Sequence, residues 1–412
     1  MNRRMHYAWL IALGCGIVMF YCVGLGFNCL SVFLNPLMER IHVSNTMRST
    51  ISAFYQTGSV AALLCIGPVI EKIGARKTIL IFGICMASGY LMLMAVDSVQ
   101  MSYAAMFIIG IGYGAGGLVP VSILITTWFA EKRGFALGLA MCGSGAATII
   151  APTILSGMIA SQGVQKALGM QAMAIVICTL TAGLLLRNKP EDLAMKAYGQ
   201  HEDTALQESR QEKITMKKSF RDKKFFLMAL AVFLSGLIVS PVVTHLAPII
   251  EQSGYGSSTA AAAVSAYGIS MFLGKPIFGK IIDRFGVLKA NTYAYTFIIL
   301  TMLTGMLLGE KTCMAYAFGI LFGLGGATVI TVGLPIWTSE LFGRESVNRL
   351  YSIFKLTSSL AGAVGAIIPG IIIDKTGSYF GLFLLYILAA VLSYVILRTL
   401  FIRNQKEKVE VM

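Results

Sequence analysis

Twelve long apolar runs, at residues 8–34, 49–70, 78–96, 101–127, 135–160, 167–186, 225–250, 258–282, 290–309, 312–337, 350–373 and 378–401, take up most of this chain. A hydrocarbon layer is crossed by roughly 20 residues of helix, and each run is close to that length or longer. Hydrophobic residues make up 56% of the 412 and charged residues only 13%, about half the charged share of soluble domains. A water-soluble globule is thereby excluded. The runs are continuous rather than alternating, which excludes a membrane β-barrel. The sequence predicts an all-α membrane protein of twelve transmembrane helices.

A net charge of +14 would suggest nucleic acid in a soluble chain, but here its placement reports orientation. With both termini cytoplasmic, 26 of the 33 Lys and Arg fall on cytoplasmic loops and ends, and five on the opposite face, as the positive-inside rule requires. The expected location is therefore the cell (inner) membrane, with the lipid bilayer as surroundings. Arg3-Arg4 and the run after it lack a small-residue cleavage site and read as a retained first helix rather than a signal peptide. The eight cysteines lie in or at the edge of spans, without metal-ligand spacing, and read as small apolar filler. No cofactor, metal or catalytic constellation is expected.

From Arg187 to Lys224 the hydropathy collapses, with ten Lys/Arg and seven acids. Mixed charge and few aromatics point to a solvated cytoplasmic linker, with some amphipathic helix as an alternative, and not to nucleic-acid binding. The organisation is a six-helix bundle at 1–186, the linker at 187–224, a second six-helix bundle at 225–401 and a cytoplasmic tail at 402–412. Short loops without an extramembrane domain fit a monomer.

The two halves repeat each other. Gly67-Pro-Val-Ile-Glu71-Lys72-Ile-Gly74-Ala-Arg76-Lys77 follows the second span, and Gly279-Lys-Ile-Ile-Asp283-Arg284-Phe-Gly286-Val-Leu-Lys289 follows the eighth, 212 residues later. Gly110, Gly114, Gly116 and Gly117 of the fourth span match Gly319, Gly323, Gly325 and Gly326 of the tenth, 209 later. This is the parallel repeat used by alternating-access carriers, which implies a midplane substrate site where the halves meet. The mid-membrane glycines imitate a dinucleotide fingerprint, but no strand precedes them, so they read as helix packing.

The loop motif resembles the Gly-x-x-x-Asp-Arg-x-Gly-Arg-Lys signature of the major facilitator superfamily. Glu71 and Lys72 replace Asp and Arg in the first copy, and Val287-Leu288 replaces the start of the basic pair in the second. Glycine permits a tight turn and the acid can pair with nearby cations, so Glu71, Arg76, Lys77, Asp283, Arg284 and Lys289 are candidate gating residues.

All nineteen acids can be assigned to loops or ends. Two cations, Lys275 in the eighth span and Lys355 in the eleventh, remain inside the membrane, where a charge is costly and marks function by default. An anionic substrate would neutralise them. Snorkelling to the interface is the alternative, stronger for Lys355, six residues from Arg349, than for Lys275, which lies nearer mid-span between Gly274 and Pro276. Ser358 and Ser359 follow Lys355 at helical spacing, so the same face could support the ligand, although serine is also ordinary packing.

Trp128-Phe-Ala-Glu-Lys132-Arg133-Gly, Lys275-Pro276 ahead of Asp283-Arg284, and Lys355 are similar to the oxalate:formate antiporter and monocarboxylate porter group over nearly the whole chain. The resemblance implies carboxylate binding by cations at positions 275 and 355, with Gln56 as a pocket glutamine. Where the oxalate exchanger has Tyr and Trp, this sequence has Asn28, Leu118, Ser144, Ala327 and Thr331. A carboxylate larger than oxalate is therefore expected, with Lys275, Lys355, Gln56, Asn28, Ser144, Thr331 and Ser359 as candidate binding residues. Lys275 lacks the planar fork of Arg, which loosens geometric selection.

With no intramembrane carboxylate to carry a proton, anion exchange is favoured over proton-coupled monocarboxylate symport. His245, near the end of the seventh span, could titrate but reads better as an interfacial residue. A non-transporting sensor on a carrier scaffold is the alternative from another class. An enzyme is not expected, because no nucleophile–base pair occurs in the spans.

Overall fold

The computed structural model describes residues 6–30, 32–33, 37, 45–199, 222–343, 347–365, 368–369, 372 and 378–410. Residues 200–221 of the expected linker and the last two of the tail lie outside them. Contacts divide the chain into two compact units, Met1–Gln200 and His201–Met412.

In the first unit, α1 runs over Tyr7–Met19 and continues as a π-helix over Phe20–Asn28. It is followed by α2 (Asn45–Ile73), α3 (Ala75–Met94), α4 (Val99–Gly116, resuming at Leu118–Trp128), α5 (Arg133–Gln162) and α6 (Val164–Leu185). In the second unit, α7 spans Lys223–Gln252, and one continuous helical stretch, Ser257–Met306, breaks at Gly286 into α8 (257–285) and α9 (287–306). Then come α10, which passes through a π-helix at Val329–Gly333 within Thr312–Phe342, α11 (Val347–Gly365) and α12 (Phe380–Glu410).

Nine helices among the described residues are long and apolar enough to cross a membrane. The expected spans outside that set are α8, α9 and α11.

Corresponding helices pack alike in each unit: α2 with α4 and α8 with α10, α1 with α5 and α7 with α11, α3 with α6 and α9 with α12. The central helices are α4 and α10, with 83% and 72% of their most apolar stretch buried, against 39% for α6 and α12. Glycine makes this possible. A Cβ at Gly110 would strike the Tyr55 carbonyl on α2, and one at Gly323 would strike Ser270 on α8, so backbones meet where side chains would hold them apart. The outer faces of α6 and α12 present Leu184 and Leu388, 73% and 62% exposed, as suits an apolar solvent.

The loop motif is repeated in backbone as well as sequence. Gly74 starts α3 with φ 81°, ψ 156°, and Gly286 starts α9 with φ 83°, ψ 167°, a region open essentially to glycine alone.

Residues 187–199 of the expected linker dock on the first unit through a few residues, while the charged side chains of Lys189, Glu191, Asp192 and Lys196 are exposed. The Trp128 indole N–H donates to the Arg187 carbonyl at 2.9 Å, and the Asn188 side-chain oxygen accepts the Arg76 backbone N–H at 2.9 Å. A short 3-10 turn, Pro190–Leu193, buries Pro190. Tyr198 then pairs with Phe129 in a parallel bridge. Its N–H donates to the Trp128 carbonyl, and its own carbonyl accepts from Ala130 and Glu131, all at 2.9–3.1 Å. The ring rests 5.5–5.7 Å from His6, Trp9 and Phe129. The docking contacts come from Pro190, Tyr198 and the main chain.

The expected tail is likewise structured as far as Glu410, as a continuation of α12. Lys224 pairs with Glu407, and the Asn404 amide donates to the Glu340 carbonyl at 3.2 Å.

Candidate functional site

Lys275 is 2% exposed on α8. Its position follows from its neighbours: Gly274 lets α8 meet α10, where an added Cβ would stand 3.0 Å from the Gly323 carbonyl and the Leu324 Cα. The helix keeps its dihedral angles through Pro276; the only non-helical residue in the 257–306 stretch is Gly286. Proline removes one backbone hydrogen bond beside Lys275, and the helix continues through it.

Lys355 is half-buried on α11, and so is Ser359 one turn further on. Ser358 turns elsewhere: it is buried, with its backbone against Gly236 of α7. The two serines therefore do not share one environment, because α11 uses position 358 for its contact with α7. Thr331 lies in the π-helical part of α10, half-buried, its hydroxyl donating to the Ala327 carbonyl at 2.6 Å.

In the first unit, the Asn28 amide donates to the Thr148 hydroxyl at 2.6 Å, and Thr148 donates in turn to the Ser144 carbonyl at 2.8 Å. Ser144 is 1% exposed, with its hydroxyl on the Met141 carbonyl at 2.9 Å. Asn28 and Ser144 are thus linked through Thr148, which the sequence reading did not single out. Gln56 is exposed on α2 and Leu118 is buried at the resumption of α4.

The positions aligned with the exchanger's Tyr and Trp carry no aromatic residue, but a ring cluster begins beside one of them, Asn28. Phe27, Tyr55 and Tyr113 form a three-ring cluster across α1, α2 and α4, with centroids 5.2–5.5 Å apart. Phe27 and Tyr55 directly precede Asn28 and Gln56, and Tyr113 sits between Gly112 and Gly114. Adjacency was the available signal, but three rings on three helices have no pattern in one dimension. The repeat carries the pair over: Tyr267 and Phe322 of α8 and α10 stack at 5.8 Å.

Of the candidate gating residues, Arg76 ties α3 to the end of α6 through its guanidinium, which donates to the Gly183 carbonyl at 2.9 Å, a cation on a helix C-terminus. Glu71 and Lys77 are exposed. Asp283, Arg284 and Lys289 are exposed too, with Arg284 and Lys289 both over the Phe285 ring, at 5.2 and 5.4 Å. His245 is half-buried on α7. Among the described residues no group of three or more His, Cys, Asp or Glu could hold a metal ion.

Comparison with known proteins gives a consistent result. The family model described as Major Facilitator Superfamily matches residues 16–331 and 258–411. Monocarboxylate transporter 12 of Rattus norvegicus is 22% identical over 95% of this chain and 85% of its own length. Monocarboxylate transporter 2 of Homo sapiens is 24% identical over 87% and 79%, and the uncharacterised MFS-type transporter YcxA of Bacillus subtilis is 23% identical over 92% of each. Among solved structures, the transporter FucP in its outward conformation aligns with a TM-score of 0.72 over 95% of this chain and 98% of its own, at 15% identity. The proton:xylose symporter XylE aligns with the same score over 95% and 94%, at 12% identity; at these identities both show the fold alone. The chain belongs to the Major Facilitator Superfamily, and it is a multi-pass membrane transporter rather than an enzyme.

Proposed function

We propose that this transporter carries small organic anions, carboxylates larger than oxalate, by anion exchange through alternating access. The observation that carries the reading is Lys275, a cation 2% exposed on a membrane helix, in a chain whose relatives include proteins named monocarboxylate transporters. A buried ammonium favours a negative partner, and Lys355 supplies a second positive group. Gln56, Asn28, Thr331 and Ser359 complete the binding set by hydrogen bonding. Ser144 acts behind Asn28, through Thr148.

Exchange rather than proton symport is supported by the sequence, in which every Asp and Glu can be assigned to a loop or an end and none is left as an intramembrane proton carrier. The termini and both copies of the loop motif face the cytoplasm, where Glu71, Arg76, Lys77, Asp283, Arg284 and Lys289 act as latches of two halves, 1–186 and 225–401. The carrier works as a monomer.

The test is uptake of labelled carboxylates of one to six carbons by liposomes holding the purified protein, with and without an internal counter-anion. Uptake should need the internal anion and should fall at least about tenfold in Lys275→Gln, the loss of a charge-assisted contact worth ~1.5–3 kcal/mol. Net uptake without counter-anion would overturn exchange, and equal activity of the variant would remove Lys275 from the site.

A further inference from the structure

The course of α1 is controlled by residues outside the proposed site. Over Phe20–Asn28 it is π-helical, and at its end the Cys29 N–H reaches the carbonyl five residues back, Gly24, at 3.1 Å. The wider hydrogen-bond ring of a π segment takes in an extra residue, so its closing residues and those beyond are turned by up to about 100° relative to an unbroken α-helix. π-helical hydrogen bonding is rare, and an uncommon local form persists only where its surroundings impose it.

Two buried side chains from other helices impose it here. Gln171 of α6 donates its amide N–H to the Leu25 carbonyl at 2.6 Å, and the Tyr90 hydroxyl of α3 lies 3.1 Å from the Gly26 carbonyl and 3.4 Å from that of Leu25. They are 1% and 0% exposed. These carbonyls belong to the closing turn of the segment, where helix geometry leaves acceptors in need of outside donors. Both sides of the turn are also gripped at the backbone: a Cβ at Gly24 would strike Ala147 of α5, and one at Gly26 would strike Met86 of α3.

The next two residues are the ones that matter for binding. Phe27 enters the ring cluster with Tyr55 and Tyr113, and Asn28 meets Thr148. Turned by one position, neither would reach its partner. We infer that Gln171 and Tyr90 are positioning residues for transport: they fix α1 in its π register, and that register sets where Asn28 and Phe27 stand. The link to transport rests on Asn28 being part of the substrate site proposed above.

The register is read without substrate. In a background lacking the eight native cysteines, Asn28→Cys and Thr148→Cys are cross-linked by oxidation in membranes, with Gln171 and Tyr90 intact and with Gln171→Leu or Tyr90→Phe. Yield should fall about fivefold in Gln171→Leu and less in Tyr90→Phe, in keeping with the loss of one buried hydrogen bond each. Tyr90→Phe decides the matter should Gln171→Leu not accumulate. In cysteine-intact protein, Gln171→Leu should raise KM for the exchanged anion by a similar factor while turnover changes less, and should add nothing in an Asn28→Ala background. Unchanged cross-linking in both variants overturns the inference and assigns the two residues to packing alone. Loss of cross-linking with KM unchanged supports control of the register and removes Asn28 from the substrate site.

Discussion

The loop-motif ends of the two units share a backbone and differ in what covers it. At Gly74 the chain leaving α6 returns: Asn188 caps α3 through the Arg76 N–H, and an added Cβ at Gly74 would stand 2.7 Å from the Asn188 amide. At Gly286 nothing lies within 4 Å of the corresponding position. The paired tryptophans differ in the same way. Trp128, fully buried, donates to the backbone of Arg187, whereas Trp337, equally buried and 209 residues on, donates to the Asn291 side chain of α9 at 2.9 Å. A repeated motif fixes the turn, while the segment that follows each unit decides how the remaining hydrogen bonds are met. The first unit borrows its partners from the chain after α6; the second, whose last helix runs straight on to Glu410, finds them within its own bundle.

Substitution at the two glycines should separate these cases most strongly. Alanine at either position places a side chain in backbone territory reserved for glycine, costing of order 1–3 kcal/mol. Gly74→Ala should also displace Asn188 and lose a cap worth about 1 kcal/mol. Thermal unfolding in detergent should therefore drop further for Gly74→Ala than for Gly286→Ala, and equal shifts would break the comparison. Asn291→Leu comes next: it strands the buried Trp337 N–H, a cost of about 1–3 kcal/mol. Part of that is offset, because the Asn291 amide N–H₂ itself finds no partner among the described residues. No side-chain substitution at Arg187 should have a like effect on Trp128, whose partner is a backbone carbonyl; a comparable loss in Arg187→Leu would contradict this. Smallest is Glu407→Gln at the partly exposed pair with Lys224. Such surface pairs contribute about 0–1 kcal/mol, so the midpoint should barely move, and a large drop would mean that the continuation of α12 contributes more to the second unit than its contacts indicate.

The architecture was open to reading because hydrophobicity and charge report it directly: apolar length gives spans, and matching offsets at Gly67/Gly279 and Gly110/Gly319 give the duplication. Lys275 was legible for the same reason, as a charge where charge is expensive. The π-helix of α1 was not, since Gln171 and Tyr90, which hold it, lie 146 and 65 residues from Leu25 and neither breaks a hydropathy pattern. Arg187 to Tyr198 read as solvated because its charged residues dominate composition, whereas the contacts that dock it come from Pro190, Tyr198 and the main chain. Ser358 and Ser359 show the limit of facial spacing, because one of two adjacent positions is taken up by packing on a neighbouring helix.

The Gly74 and Gly286 turns also separate what a repeat must keep from what it can vary. The side chains of the two copies differ, Glu71-Lys72 against Asp283-Arg284 and Arg76 against Leu288, while the dihedral angles agree. Charge can be exchanged for similar charge at little loss, but no other side chain offers glycine's conformation, so the turn is the part of the motif that admits no substitute.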